Sequence, residues 1–198
     1  MWEQNRFHGL GKYTFSMKQI PFIFFLLKSI RKKKKDNGNT FEGEFRDDKM
    51  YGVGKWLWPK NGDRFEGNFD EDEIVRIRGK GTLMRSNGDV IDADWVDKTI
   101  PSSEGGQVYN RIGVGKIEYK SGEVYEGGIL DVREKTGEGF VYKDGEGKLR
   151  LVDGSNIQGR WKQDVLVGLA ILEDVDGNKR KRIYRLGNIV SDEVILDV

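Results

Sequence analysis

The amino-acid sequence predicts an all-β fold, an antiparallel β-meander of tandem hairpins. Three observations carry the prediction: 27 glycines beside only three prolines, a bipartite motif that recurs along the chain, and turn dipeptides that keep phase with it. Glycine at about twice its usual ~7% share, with so little proline, marks many tight turns rather than disorder.

The first half of the motif is aromatic-Glu-Gly-x-aromatic. It stands as Phe41-Glu42-Gly43-Glu44-Phe45 and Phe65-Glu66-Gly67-Asn68-Phe69. Weaker copies are Ile91-Asp92-Ala93-Asp94-Trp95, Tyr125-Glu126-Gly127-Gly128-Ile129 and Ile157-Gln158-Gly159-Arg160-Trp161. The second half is Gly-x-Gly followed by alternating residues: Gly52-Val53-Gly54-Lys55-Trp56-Leu57-Trp58, Gly79-Lys80-Gly81-Thr82-Leu83-Met84, Gly113-Val114-Gly115-Lys116-Ile117-Glu118-Tyr119 and Gly137-Glu138-Gly139-Phe140-Val141-Tyr142. A degenerate copy is Gly168-Leu169-Ala170-Ile171-Leu172.

The two halves alternate, and each reads as a short strand with period-two alternation. Successive first halves begin 24, 26, 34 and 32 residues apart, which places insertions at about Thr99–Gln107 and Glu146–Gly154. After each second half comes Asn37-Gly38, Asn61-Gly62, Asn87-Gly88, Ser121-Gly122, Asp144-Gly145 or Asp176-Gly177. Such dipeptides tolerate the positive φ of tight hairpin turns. The repeated Gly-x-Gly is expected to let aromatics of a neighbouring strand cross close to the backbone.

Composition narrows the function. There is no cysteine, so there is neither a disulfide framework nor a thiolate metal site, which suits a cytosolic protein. Charged residues make up 34% of the 198 positions yet sum to +1, so no global field favours nucleic acid or membrane. A hydrophobic fraction of 36% is low for a compact globule and suits a thin sheet.

The repeat resembles the MORN (membrane occupation and recognition nexus) unit, a Tyr-x-Gly-x-Trp strand, a turn, then Gly-x-Gly. The resemblance covers Trp2–Phe15 and Asn39 to about Leu172. It implies an elongated, twisted antiparallel sheet with a grooved face of aromatics. Ala93 replaces a glycine, Ile129 an aromatic and Ala170 the second glycine of its pair, so those repeats are expected to be distorted.

Taken in order, residues 1–16 read as a truncated first repeat, because Trp2 stands as far before Gly9 as Phe45 stands before Gly52. Residues 17–35 read as an insert. Without them, Gly11 to Phe41 aligns gap-free with Gly54 to Phe65. The insert pairs an apolar run, Pro21-Phe22-Ile23-Phe24-Phe25-Leu26-Leu27, with the polybasic run Arg31-Lys32-Lys33-Lys34-Lys35. It reads as a translated intron or as a membrane-contacting device; the apolar run is far shorter than the ~20 residues of a spanning helix. Residues 36–177 are the tandem repeats, and 178–198 a C-terminal cap or tail, either a strand or a short helix.

The catalytic candidates each lack a partner. His8, the only histidine, sits before Gly9 as a turn residue, with no nucleophile-elbow motif anywhere and too few ligands for a metal. Asp174-Val175-Asp176-Gly177-Asn178 hints at a calcium loop, but Leu172 and Ile183 fall at the first and last ligand positions, so it reads as a turn. The run Asp70-Glu71-Asp72-Glu73 reads as a solvated loop. None of the Gly-x-Gly copies carries the Lys-Ser/Thr of a phosphate loop. No enzymatic activity, cofactor or metal is expected.

Binding is the remaining function. Phe41, Phe45, Phe65, Phe69, Trp95, Tyr125 and Trp161 hold one phase and read either as sheet packing or as a partner-binding groove. Lys32, Lys33, Lys34 and Lys35, and the second basic run Lys179-Arg180-Lys181-Arg182, are candidate contacts for anionic lipid. The resemblance implies a scaffold in the cytoplasm, cilium or cytoskeleton, as in axonemal radial spokes. Its partners would be other proteins or a second copy. A phospholipid-binding module and a regulatory fragment of a larger enzyme are the alternatives.

Overall fold

The computed structural model describes residues 2–3, 6–7, 9–14, 39–47, 49–69, 77–101, 107–133 and 139–195. His8, the 17–35 insert with Lys32, Lys33, Lys34 and Lys35, the Asn37-Gly38 dipeptide and the Asp70–Glu73 run lie outside the described residues. The chain forms two units, Met1–Ser86 and Asn87–Val198.

The first unit holds β1 (Trp2–Glu3), β2 (Arg6–Phe7), β3 (Gly9–Thr14), β4 (Thr40–Arg46), β5 (Lys49–Trp58), β6 (Asp63–Phe69) and β7 (Ile77–Met84). β1 and β2 pair with each other, and β3 to β7 pair antiparallel in chain order. The second unit holds β8 (Val90–Pro101), β9 (Gln107–Glu118), β10 (Val124–Arg133), β11 (Gly139–Arg150), β12 (Asn156–Lys162), β13 (Val165–Glu173), β14 (Lys179–Arg185) and β15 (Asn188–Ile195). These also pair antiparallel in chain order. The fold is therefore an all-β antiparallel meander, with no helix among the described residues.

Strand formation follows the alternation. In β4, Phe41 and Gly43 are buried while Glu42 and Glu44 are exposed; in β6, Asp63, Phe65 and Phe69 are buried while Arg64 and Asn68 are exposed. Successive side chains take opposite faces, so one face of each strand is core and the other meets water.

Register turns the motif into rows across the strands. In the first unit Gly11, Gly43, Gly54, Gly67 and Gly81 lie opposite one another from strand to strand. In the second unit the row is Ala93, Gly115, Gly127, Gly147, Gly159 and Ala170. Beside each glycine row, on the opposite face, runs a row of alternating charge: Glu42, Lys55, Glu66 in one unit and Asp92, Lys116, Glu126, Lys148 in the other. Lys55 and Glu66 form an ion pair of 2.9 Å. The recurring Glu-Gly and Gly-x-Gly-Lys are thus complementary sides of one cross-strand arrangement.

The hairpin turns close as expected at Asn61-Gly62, Asn87-Gly88, Ser121-Gly122 and Asp176-Gly177, where the glycines have φ of 79°, 100°, 99° and 85°. The fourth repeat corrects the sequence reading. Asp144-Gly145 is no turn; it lies inside β11, and the turn before β12 is Asp153-Gly154, closed by the Gly154 amide donating to the Leu151 carbonyl at 3.0 Å. The working Gly-x-Gly of that repeat is Gly145-Glu146-Gly147, with Gly147 opposite Gly127. The extra residues therefore lengthen the β10–β11 hairpin rather than forming an insertion at Glu146–Gly154. The expected insertion near Thr99–Gln107 does fall at the end of a hairpin, between β8 and β9. The segment after Asn178 is a hairpin of two strands, β14 and β15, rather than a helix.

Candidate interaction surface

On the core face, rings lie over glycine backbone. A Cβ placed on Gly54 or Gly81 would run into the Phe41 or Phe65 ring respectively, and one on Gly67 would stand 2.6 Å from the Phe65 ring. Tyr125 covers Gly147 in the same way and donates its hydroxyl hydrogen to the Gly128 carbonyl at 3.0 Å. Edge-on contacts join the rings, with centroids 4.8 Å apart for Phe41 and Phe69, 5.7 Å for Phe65 and Phe69, and 5.9 Å for Tyr125 and Trp161. The expected close crossing of aromatics over Gly-x-Gly is thus present. The second glycine serves it at Gly54, Gly81 and Gly147; in Gly113-Val114-Gly115 the ring nearest a glycine is Trp95, 3.2 Å from a Cβ on the first.

At Gly79 the first glycine has another task. In the β6–β7 pair the register shifts between Gly67 and Phe69, and Gly79 takes φ of 73° with nothing within 4 Å of its missing Cβ. That backbone, not crowding, demands glycine there. In the β8–β9 pair the register does not shift, and Gly113 is absent from the positive-φ glycines.

The departures at Ala93 and Ala170 leave the pairing of their rows in place, because the covering residue shrinks with them. Ile91 and Ile157 stand where Phe41, Phe65 and Tyr125 stand in other repeats. The methyls of Ala93 and Ala170, both buried, face Gly115 and Gly159 and occupy part of the volume a ring would fill. Ile129 is likewise buried.

The aromatics singled out from the sequence fall on the core face of their own unit, Phe41, Phe45, Phe65 and Phe69 in the first and Trp95, Tyr125 and Trp161 in the second. Phe41, Phe65, Phe69, Trp95, Tyr125 and Trp161 are all buried and Phe45 is half-buried. Their packing is within the chain, so a polar substitution there would test folding before it tested binding.

The second basic run is split by strand alternation. Arg180 and Arg182 both reach Asp192, at 3.0 and 3.1 Å, while Lys181 lies opposite Glu193. Hydrogen bonds from Arg180 and Arg182 hold the Asp192 carboxyl below its usual pKa. Lys179, Arg180, Lys181 and Arg182 therefore do not form one cationic patch.

Two arrangements gave no sequence signal. In the second unit Arg111 and Asp131 stand opposite each other on β9 and β10, both buried, with an ion-pair distance of 3.5 Å. Lys143, 14% exposed, lies 5.2 Å from the ring centroids of Tyr119 and Trp161, 3.2 Å from the Tyr119 hydroxyl and 2.9 Å from Asp164. Burial pulls the Lys143 ammonium down, but its bonds to Asp164 and Tyr119 outweigh that and hold its pKa above the ordinary value. This contact fixes the start of the lengthened hairpin against the turn before β13. There the Asp164 amide donates to the Lys143 carbonyl at 3.0 Å, and Gln163 and Asp164 take φ of 48° and 68°. Aligning Gly113–Gly127 with Gly145–Gly159, which needs no gap, is the signal that would have set this repeat in phase.

These features define a tandem β-hairpin repeat protein, with a ring-on-glycine core on one face and a charged opposite face. The family model of the MORN repeat matches residues 1–19, 41–63 and 158–179, so the chain carries MORN repeats. No curated protein matches the chain. The matched segments are those with the shortest step between the two halves of the motif, Trp2 to Gly9, Phe45 to Gly52 and Trp161 to Gly168; lengthened hairpins interrupt the pattern in the others.

Proposed function

We propose that this chain is a non-catalytic MORN-repeat scaffold that binds other proteins within a cytoskeletal or ciliary (axonemal) assembly. The observation that supports this reading is the contrast between the two faces. The core face is filled by the chain's own rings and glycines. In each unit the opposite face presents solvent-facing side chains from strand after strand, among them Glu42 in the first and Asp92, Asp94, Glu126 and Arg160 in the second. Neighbouring strands stand about 4.8 Å apart, so this face offers regularly spaced contact points. The cytoskeletal or ciliary setting rests on the resemblance alone.

The test is affinity capture with the full chain from a native extract at physiological salt, run beside co-sedimentation with phosphatidylserine vesicles. A defined set of protein partners with no vesicle pelleting is the expected result. Pelleting with vesicles and no specific protein capture would replace the scaffold by a lipid-binding module, and hydrolytic or transferase activity in the purified chain would overturn the non-catalytic reading.

A further inference from the structure

The charged face changes character where the hairpins of the second unit outrun the glycine row. Val96, Ile112, Leu130 and Tyr142 lie opposite one another across β8, β9, β10 and β11, on the face away from the glycines. Val114 flanks this row on one side and Phe140 on the other, the Phe140 ring stacked on Tyr142 with centroids 6.4 Å apart. Val96, Ile112, Val114 and Phe140 are 56%, 40%, 72% and 49% exposed. Elsewhere the same face of this unit carries Asp92, Lys116, Glu126 and Lys148. A contiguous apolar patch on an otherwise charged face marks an interaction site rather than scattered exposure.

Geometry and charge narrow the occupant. Four neighbouring strands put the ends of the row about 14 Å apart, which is about ten residues of α-helix. Apolar side chains on one helix face recur every three or four residues, about 5 Å along the axis, close to the strand spacing. A helix lying across the strands can therefore set one anchor on each. On the glycine side the row is bordered by exposed Asp94, Asp92 and Glu126. Exposed Glu146 adds to these carboxylates, and the cations among them are Lys148, opposite Glu126, and Lys116, which is hydrogen-bonded to Glu118 and held above its ordinary pKa by Glu118, Glu126 and Asp92. The border is net acidic and suits basic residues along one flank of the helix, not an anionic bilayer.

Building on the scaffold reading, we infer that the outward face of the long hairpins docks an amphipathic helix of a partner protein, with apolar anchors on the Val96–Ile112–Leu130–Tyr142 row and Lys or Arg facing Asp94. The experiment is selection of a displayed library of amphipathic helical peptides on the full chain, followed by titration of the enriched peptides. Enriched sequences are expected to carry Lys or Arg along one flank. Val114→Glu is expected to weaken them about tenfold, and Asp94→Lys about threefold, with the Asp94 effect shrinking at high salt. Circular dichroism and melting of both variants check the fold, and Val114, the most exposed of the patch, leaves the core untouched. Enriched peptides indifferent to both changes would overturn the docking site and leave the scaffold reading standing. Enrichment of nothing, of acidic-flanked peptides, or wild-type dimerisation abolished by Val114→Glu would also overturn it, the last by assigning the face to a second copy. The scaffold reading itself falls only with protein capture.

Discussion

The hairpins of Thr40–Met84 and those of Val90–Arg150 are cut from one repeat and differ in length. In the first set the strands have 7 to 10 residues and scarcely extend past the glycine row. In the second they have 10 to 12. The short set puts rings and glycines on one face and mostly charges on the other, with Asp63 buried on the core face beside Arg85 and Val53 exposed on the opposite one. The long set adds a further tier in which the division is reversed: Arg111 and Asp131 are buried on the core face, while Val96 and Ile112 are exposed on the other. The glycine row is therefore the structural unit of the repeat, and the strand beyond it is free to take another role.

The largest effect should separate the two sets at the buried ion pair. Arg111→Ala strands a buried carboxylate and is expected to cost about 3–5 kcal/mol in urea unfolding, whereas Arg111→Met with Asp131→Leu is expected to be close to neutral. An exposed pair such as Lys55–Glu66 in the short set would not respond this way; Lys55→Ala should cost less than about 1 kcal/mol.

The next effect tests the claim that the two glycines of one Gly-x-Gly do different work. Gly81→Val drives side-chain atoms into the Phe65 ring and is expected to cost about 3 kcal/mol. Gly79→Ala meets no neighbour and carries only the positive-φ penalty, about 1 kcal/mol. Equal costs for the two would remove the distinction drawn between them.

The smallest effect compares turns by chemistry. In the Asn61-Gly62 turn an amide oxygen accepts the Asp63 backbone N–H at 3.2 Å. In the later turns carboxylates do the same, Asp153 for Ser155 at 2.9 Å and Asp174 for Asn178 at 2.9 Å. The Asp153 carboxyl is held below 3.8 by hydrogen bonds from Ser155, and that of Asp174 by hydrogen bonds from Asn178. A depressed folded pKa contributes stability above the unfolded value, and that contribution disappears as pH falls through the folded one. Acidification below about 4 should therefore speed hydrogen exchange at the Ser155 and Asn178 amides, after correction for intrinsic rates.

Much of this was legible in the sequence because it is local. Strand alternation, the turn glycines and the alternation of Phe41-type and Gly52-type segments depend on residues a few positions apart. The fourth repeat was not legible in that way. It offers two Gly-x-Gly candidates, Gly137–Gly139 and Gly145–Gly147; nothing within the motif itself prefers one, and only the repeat-length alignment of Gly113–Gly127 with Gly145–Gly159 points to the second. Cross-strand register chooses, because Gly147 is the glycine that can lie opposite Gly127 beneath Tyr125. The seven aromatics show the same limit: their shared phase puts them on one face of each unit, but whether that face is packed or open depends on what covers it.

The sequence by itself determined that this protein is an antiparallel array of glycine-punctuated hairpins, because turn chemistry and period-two patterning act within each hairpin. Tertiary structure alone decided three things: which glycines give way to rings and which to a left-handed backbone, that Lys179–Arg182 is divided between faces, and that the long hairpins bury Arg111 with Asp131 while exposing an apolar row. Each of these depends on residues brought opposite one another by register, across separations in sequence that no local pattern spans.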